Sequence, residues 1–124
     1  MHVIDQQRPL PAIPGVSHAT WAGQDNGLNQ LSLWRQSMAP GGATPPHRHD
    51  CDEVVLCLEG EGEVHIEGTV HAFRAGQTIV LPRGAAHQIF NVGDRPLETL
   101  GVFGASPVGT TLPDGAPLPL PWRS

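Results

Sequence analysis

Two stretches, GGATPPHRHDCDEVVLCLEG at residues 41–60 and GQTIVLPRGAAHQIFN at residues 76–91, decide how this chain folds. The first reads Gly41-x5-His47-x-His49-x3-Glu53-x6-Gly60, and the second Gly76-x5-Pro82-x-Gly84-x2-His87-x3-Asn91. Together they offer three imidazoles and one carboxylate at spacings suited to a single divalent metal. Side chains alternate between the faces of a β-strand, so His47 and His49 point the same way from one strand. A short loop or bulge after His49 brings Glu53 round, and His87 arrives from a later hairpin introduced by Pro82-Arg83-Gly84. Ligands spread over separate strands of a closed sheet converge on its interior, where a cation can sit. His-x-His pairs are common, but ten specified positions in order, with 15 residues between the two halves, are not a chance pattern.

The two stretches resemble the paired motifs of the cupin superfamily, and in particular small single-domain cupins of the quercetinase-like type. The likeness covers roughly residues 30–103 with no substitution at a motif position. It implies an all-β double-stranded β-helix, a jelly-roll barrel, with His47, His49, Glu53 and His87 as metal ligands. It fixes no reaction, because cupins include dioxygenases, isomerases, lyases, epimerases, sugar-binding regulators and storage proteins.

The rest of the chain agrees with many short strands. Its 124 residues suit one domain, 1–124, able to bury a modest core without disulfides. Gly 15 and Pro 13 are high, and no segment sustains helical periodicity over ten residues. Leu28–Met38 reads as the first long strand, followed by Glu53–Leu58, Glu63–Glu67, Val70–Phe73, Gln77–Leu81, Ala86–Asn91 and Leu97–Phe103. Outside a barrel core at about 28–103 lie an irregular arm, 1–27, with Pro9, Pro11 and Pro14, and a proline-rich tail, 104–124. The tail places Leu112, Leu118 and Leu120 among its prolines and ends near Trp122. It reads as packing extended on a barrel with Trp122 as anchor, supplying no catalytic group, so that its removal leaves metal binding intact.

Charge and cysteine usage narrow the partners. A net charge of −5, with seven Arg and no Lys, provides no basic stripe for nucleic acid. No apolar run approaches membrane length and the first residues do not resemble a signal peptide, so the default expectation is a cytoplasmic protein. Cys51 and Cys57 read as free thiols, Cys51 on a loop pointing away from the metal and Cys57 as a small buried hydrophobe. Cys57 shares the parity of Glu53, so Val55, Cys57 and Ile89 are expected to line the pocket. His2, His18, His65 and His71 read as exposed. Glu98 faces inward if Leu100 and Val102 do, and outward if Thr99 and Phe103 face inward; the outward reading is preferred.

Three neutral imidazoles and a carboxylate leave a divalent ion with residual positive charge and open positions. One transition ion per chain is expected, Fe, Mn, Ni, Cu or Zn. An apolar pocket beside it suits a small organic substrate, aromatic or enolisable, and an oxygenase is the first reading. A non-redox lyase or isomerase, and a non-catalytic small-molecule or sugar-binding module, are the alternatives. Apolar residues of both parities in Leu28–Met38 point to a homodimer.

Overall fold

The computed structural model describes residues 1–124 and contains eleven strands, one three-residue 3-10 turn at Gln24–Asn26 and no α-helix. The strands are β1 (Leu10–Ile13), β2 (Val16–Ala22), β3 (Ser32–Met38), β4 (Arg48–His49), β5 (Glu53–Glu59), β6 (Glu61–Ile66), β7 (Thr69–Arg74), β8 (Thr78–Leu81), β9 (His87–Asn91), β10 (Leu97–Phe103) and β11 (Thr110–Thr111). They form a six-stranded sheet in the order β1-β2-β3-β10-β5-β8, a three-stranded sheet β7-β6-β9 and the pair β11-β4. The sheets close on one another as a jelly-roll barrel, which is all-β as the motif likeness implied.

Alternation places the core. Along β10, Leu97, Thr99, Gly101 and Phe103 are buried while the residues between them are half-exposed. β3 alternates the same way, sending Trp34, Gln36 and Met38 inward, and β5 sends in Glu53, Val55 and Cys57. Val64, Phe73 and Ile89 meet them from the smaller sheet, and one cluster of 13 buried residues results. Gly101 is required by this packing. It sits opposite Trp34 across the β3–β10 ladder, and a Cβ there would overlap Cε2 and Cζ2 of the indole.

β10 also settles Glu98, which faces outward. Its carboxylate accepts hydrogen bonds from Arg35 Nη1 at 2.8 Å and Ser37 Oγ at 2.7 Å on the neighbouring strand.

Two expectations for the first third of the chain are corrected. Residues 1–27 are irregular only in part, since β1 and β2 extend the six-stranded sheet from its β3 side while residues 1–9 carry no strand. Pro11 is tolerated because β1 is an edge strand, and Pro9 and Pro14 lie just outside it. Val16-Ser17-His18-Ala19-Thr20 pairs residue by residue with β3. The first long strand also starts later than expected, at Ser32. Gly27 in the left-handed conformation (φ 86°) ends the 3-10 turn, and Leu28 and Leu31 remain exposed beyond it.

Candidate metal centre

The four residues singled out by spacing lie together at one end of the barrel. His49 closes β4, Glu53 opens β5 and His87 opens β9. His47 and His87 are bound face to face by their backbones, His47 N–H to His87 C=O at 3.0 Å and the reverse at 2.9 Å. One ring nitrogen from each of His47, His49 and His87 falls within 4.8 Å of the other two. Glu53 Oε1 stands 3.3 Å from His87 Nε2 and 3.8 Å from His49 Nε2. Donors about 2.1 Å from a shared cation lie roughly 3–3.5 Å apart; the three imidazoles form the cluster that could hold an ion, and Glu53 lies beside it, inside that spacing from His87 Nε2 and just outside it from His49 Nε2.

Hydrogen bonds on the far side of the rings choose the tautomers. His47 Nδ1 donates to Pro45 C=O at 2.6 Å and His87 Nδ1 to Ala85 C=O at 2.9 Å. A carbonyl only accepts, so both protons sit on Nδ1 and both Nε2 lone pairs are left to face the cluster. The third ring has its Nδ1 3.0 Å from Thr110 Oγ1.

Electrostatics in the cluster keep His47 and His49 neutral, with their lone pairs available. Burial, reinforced by the neighbouring imidazoles, lowers His49 to about 2. Burial and the neighbouring His87 lower His47 to about 4, against the raising effect of the Pro45 carbonyl. Burial pushes the Glu53 carboxyl up, with His87 opposing; burial lowers His87, but Glu53 and the Ala85 carbonyl together hold it above its ordinary value. Glu53 Oε1 and His87 Nε2 are both buried and lack a well-aligned hydrogen-bond partner. Orphaned buried polar atoms of this kind are costly, and a cation shared with His47 and His49 would satisfy them.

A cavity of about 260 Å³ opens from this cluster. His47, His49 and Glu53 line it with Ile13, Trp34, Phe103, Val108, Leu118, Leu120 and Trp122, and Gln36, Thr44, Thr110, Arg123 and Ser124 add further polar groups. Phe103 sets its ring edge-on to His49 at a centroid distance of 4.6 Å.

Val55, Cys57 and Ile89, expected as pocket lining, do not line the cavity. All three are buried in the closed core beneath it. Parity gave their face correctly, but the opening stops at Glu53 and the residues further along β5 are covered. Cys51 likewise packs in the core, outside the imidazole cluster.

The cavity wall includes groups that spacing did not mark. His18, expected at the surface, is 7% exposed and lines the cavity. It stacks on Trp122, centroids 4.0 Å apart and planes 13° from parallel. Gln36 Nε2 donates to its Nδ1 at 2.9 Å, and its Nε2 lies 3.0 Å from Thr20 Oγ1. Because Thr20 Oγ1 donates to Arg123 C=O at 2.7 Å, it accepts from His18 Nε2–H. Burial lowers His18 to about 4, so the ring is neutral. The shared inward parity of Val16 and His18 was the available signal, hidden once residues 1–27 were read as irregular. The tail packs on the barrel through Trp122, as expected, but it also walls the cavity and brings Thr110 to a cluster imidazole. No local pattern marks Thr110.

Comparison with known proteins settles the family. Residues 34–103 match the model of the cupin domain. The chain belongs to the cupin family. Auxin-binding protein 1 of Arabidopsis thaliana is 36% identical to this cupin over 105 residues, 77% of this chain and 53% of the relative. Germin-like protein subfamily 2 member 2 of Arabidopsis thaliana is 41% identical over 92 residues, 68% of this chain and 42% of the relative. The cupin thus spans about half the length of the curated relatives it matches. Among solved structures it resembles oxalate oxidase in complex with the substrate analogue glycolate, with a TM-score of 0.71 and 31% identity over 79% of this chain and 55% of that one.

Proposed function

We propose that this cupin is a metal-dependent oxygenase acting on a small organic substrate with an oxygen-bearing end and a flat apolar body. The observation that carries the reading is the lining of one cavity. Imidazoles and a buried carboxylate line it together with aromatic and aliphatic side chains, and Gln36, Arg123 and Ser124 add polar groups. On this reading His47, His49, Glu53 and His87 hold one divalent transition ion, which supplies Lewis acidity and redox capacity there. Three neutral imidazoles and one carboxylate cancel only part of its charge, so the site favours an anionic or enolisable oxygen. Trp34, Phe103 and Trp122 orient the substrate body, and the aliphatic residues of the tail keep water from it. A volume of about 260 Å³, the share of roughly nine water molecules, suits one small molecule.

The relatives support a small-molecule site. The oxalate oxidase structure holds glycolate, a small oxygen-rich acid, and the auxin-binding relatives are named for their ligand. A second reading, binding without turnover, is favoured by one observation. His18 is the only imidazole lining the cavity outside the metal cluster, and both its nitrogens are engaged, which leaves no free imidazole for proton transfer. The same observation removes an imidazole from the acid–base groups a non-redox lyase or isomerase could draw on.

The test is dioxygen uptake by protein loaded with Fe²⁺, Mn²⁺, Ni²⁺ or Cu²⁺, screened against small carboxylic acids, aromatic diols and diketones. Substrate-dependent uptake that disappears in His47→Ala supports the oxygenase. Saturable binding without product for every metal overturns it in favour of the binding module, and product formed without oxygen overturns it in favour of the lyase or isomerase.

A further inference from the structure

His47 and His87 are each oriented by a carbonyl two residues earlier in the chain, so the motif itself aims them. His49 has no such local partner. Its Nδ1 meets Thr110 Oγ1, 61 positions later, in a segment outside the family match at 34–103. We propose that Thr110 is a positioning residue for the metal centre, its hydroxyl accepting from His49 Nδ1–H so that the Nε2 lone pair is presented to the cation. This inference rests on the metal-centre reading above.

The placement of Thr110 is built. β11 pairs with β4 so that Thr110 stands directly opposite His49, and Thr111 opposite Arg48. Asp50 ties the same segment twice, its N–H donating to Gly109 C=O at 3.1 Å and its Oδ1 accepting from Gly109 N–H at 2.9 Å. Gly109 permits that approach, since a Cβ there would run into the Asp50 carboxyl group. Arg48 Nη2 donates to Pro113 C=O, so residues 109–113 are held along residues 48–50. The far end of the tail is fixed across the cavity by Trp122 on His18, by Val108 N–H on Ser124 C=O at 3.0 Å and by Thr20 on Arg123.

Without an acceptor at Thr110, a buried imidazole N–H would be unsatisfied. A neutral imidazole relieves that by moving its proton to the other nitrogen or by turning its ring, and either change removes Nε2 as a donor to the ion. The hydroxyl supplies the acceptor that the Nδ1–H tautomer needs. Groups that orient metal-binding histidines in this way typically contribute 10–100-fold in metal affinity. It follows that tail docking and metal binding strengthen each other, and the expectation that tail removal spares the metal is replaced by its opposite.

The test is a Co²⁺ titration of the full metal-free chain, wild type beside Thr110→Val and Thr110→Ser, with a competing chromophoric chelator and the visible Co²⁺ spectrum recorded. Val keeps the branched shape and removes the hydroxyl; Ser restores the hydroxyl. The expected result is one Co²⁺ bound to wild type, a Kd weaker by 10–100-fold with an altered spectrum for Thr110→Val, and a Kd within about threefold and a wild-type spectrum for Thr110→Ser. Equal Kd and spectrum for wild type and Thr110→Val would overturn the role of Thr110 while leaving the metal centre intact. Thr110→Ser as weak as Thr110→Val would assign the effect to packing and overturn it too. A wild type that binds no Co²⁺ would remove the metal centre and this inference together.

Discussion

Replacing Gly101 by Ala tests how the cavity wall is built. The new Cβ would overlap Cε2 and Cζ2 of Trp34, and Trp34 is only 5% exposed. Carbon atoms pack at about 3.5–4.0 Å, so the indole must retreat by more than ~1 Å. His18 and Phe103 flank it, each with its ring centre 6.1 Å away, and the cavity is the space left to move into. Overpacking of this kind costs about 1–3 kcal/mol. Ala in place of Gly in a strand returns about 0.5–1 kcal/mol through the unfolded chain. The net loss is up to about 2.5 kcal/mol, centred near 1 kcal/mol, which for a domain of this size lowers Tm by roughly 4 °C. Calorimetry on metal-free protein measures it. In a Trp34→Phe background the smaller ring leaves room, and the same substitution should cost less than about 0.5 kcal/mol. An unchanged Tm, or an equal loss in both backgrounds, would refute the argument that Gly101 exists to seat Trp34.

Three further outcomes are expected. Trp122→Ala, which removes the indole stacked on His18, should lower the urea midpoint by the equivalent of about 2 kcal/mol, and an unmoved midpoint would contradict tail docking. Metal must compete with protons for His87, which is held above its ordinary value of 6.5. Metal affinity should therefore fall as pH drops through and below that value, by up to about tenfold per unit, and a Kd constant from about pH 7 to 5 would refute that competition. The outer face of the six-stranded sheet aligns Val80, Val54, Val102 and Leu33 in one row, with Val80 70% exposed. Burying that row against a second copy gives a homodimer by light scattering at micromolar concentration, and a monomeric mass would count against it.

What could be read from the sequence was what depends on local spacing. Strand parity grouped His47 with His49, and turn residues marked most strand ends between 53 and 103, with Leu97–Phe103 at its observed limits. Parity left Glu98 open, because β10 has apolar residues on both faces; the partner Arg35 on β3 decides it. Parity also says nothing of depth, which is why Val55, Cys57 and Ile89 face inward but lie below the cavity. The prolines at 9, 11 and 14 suggested a loop where they mark an edge strand, and His18 was lost with it. Thr110 reaches His49 through a pairing between residues 61 apart, and no local pattern carries that information.

The central claim is that one divalent ion is held by His47, His49, Glu53 and His87. Elemental analysis of untagged protein purified without chelators, wild type beside the His47→Ala/His49→Ala/Glu53→Ala/His87→Ala variant, tests it most directly. About one equivalent of transition metal in wild type, and almost none in a variant whose circular dichroism still shows a folded β-barrel, is the predicted result. Full stoichiometric metal in the quadruple variant would contradict it.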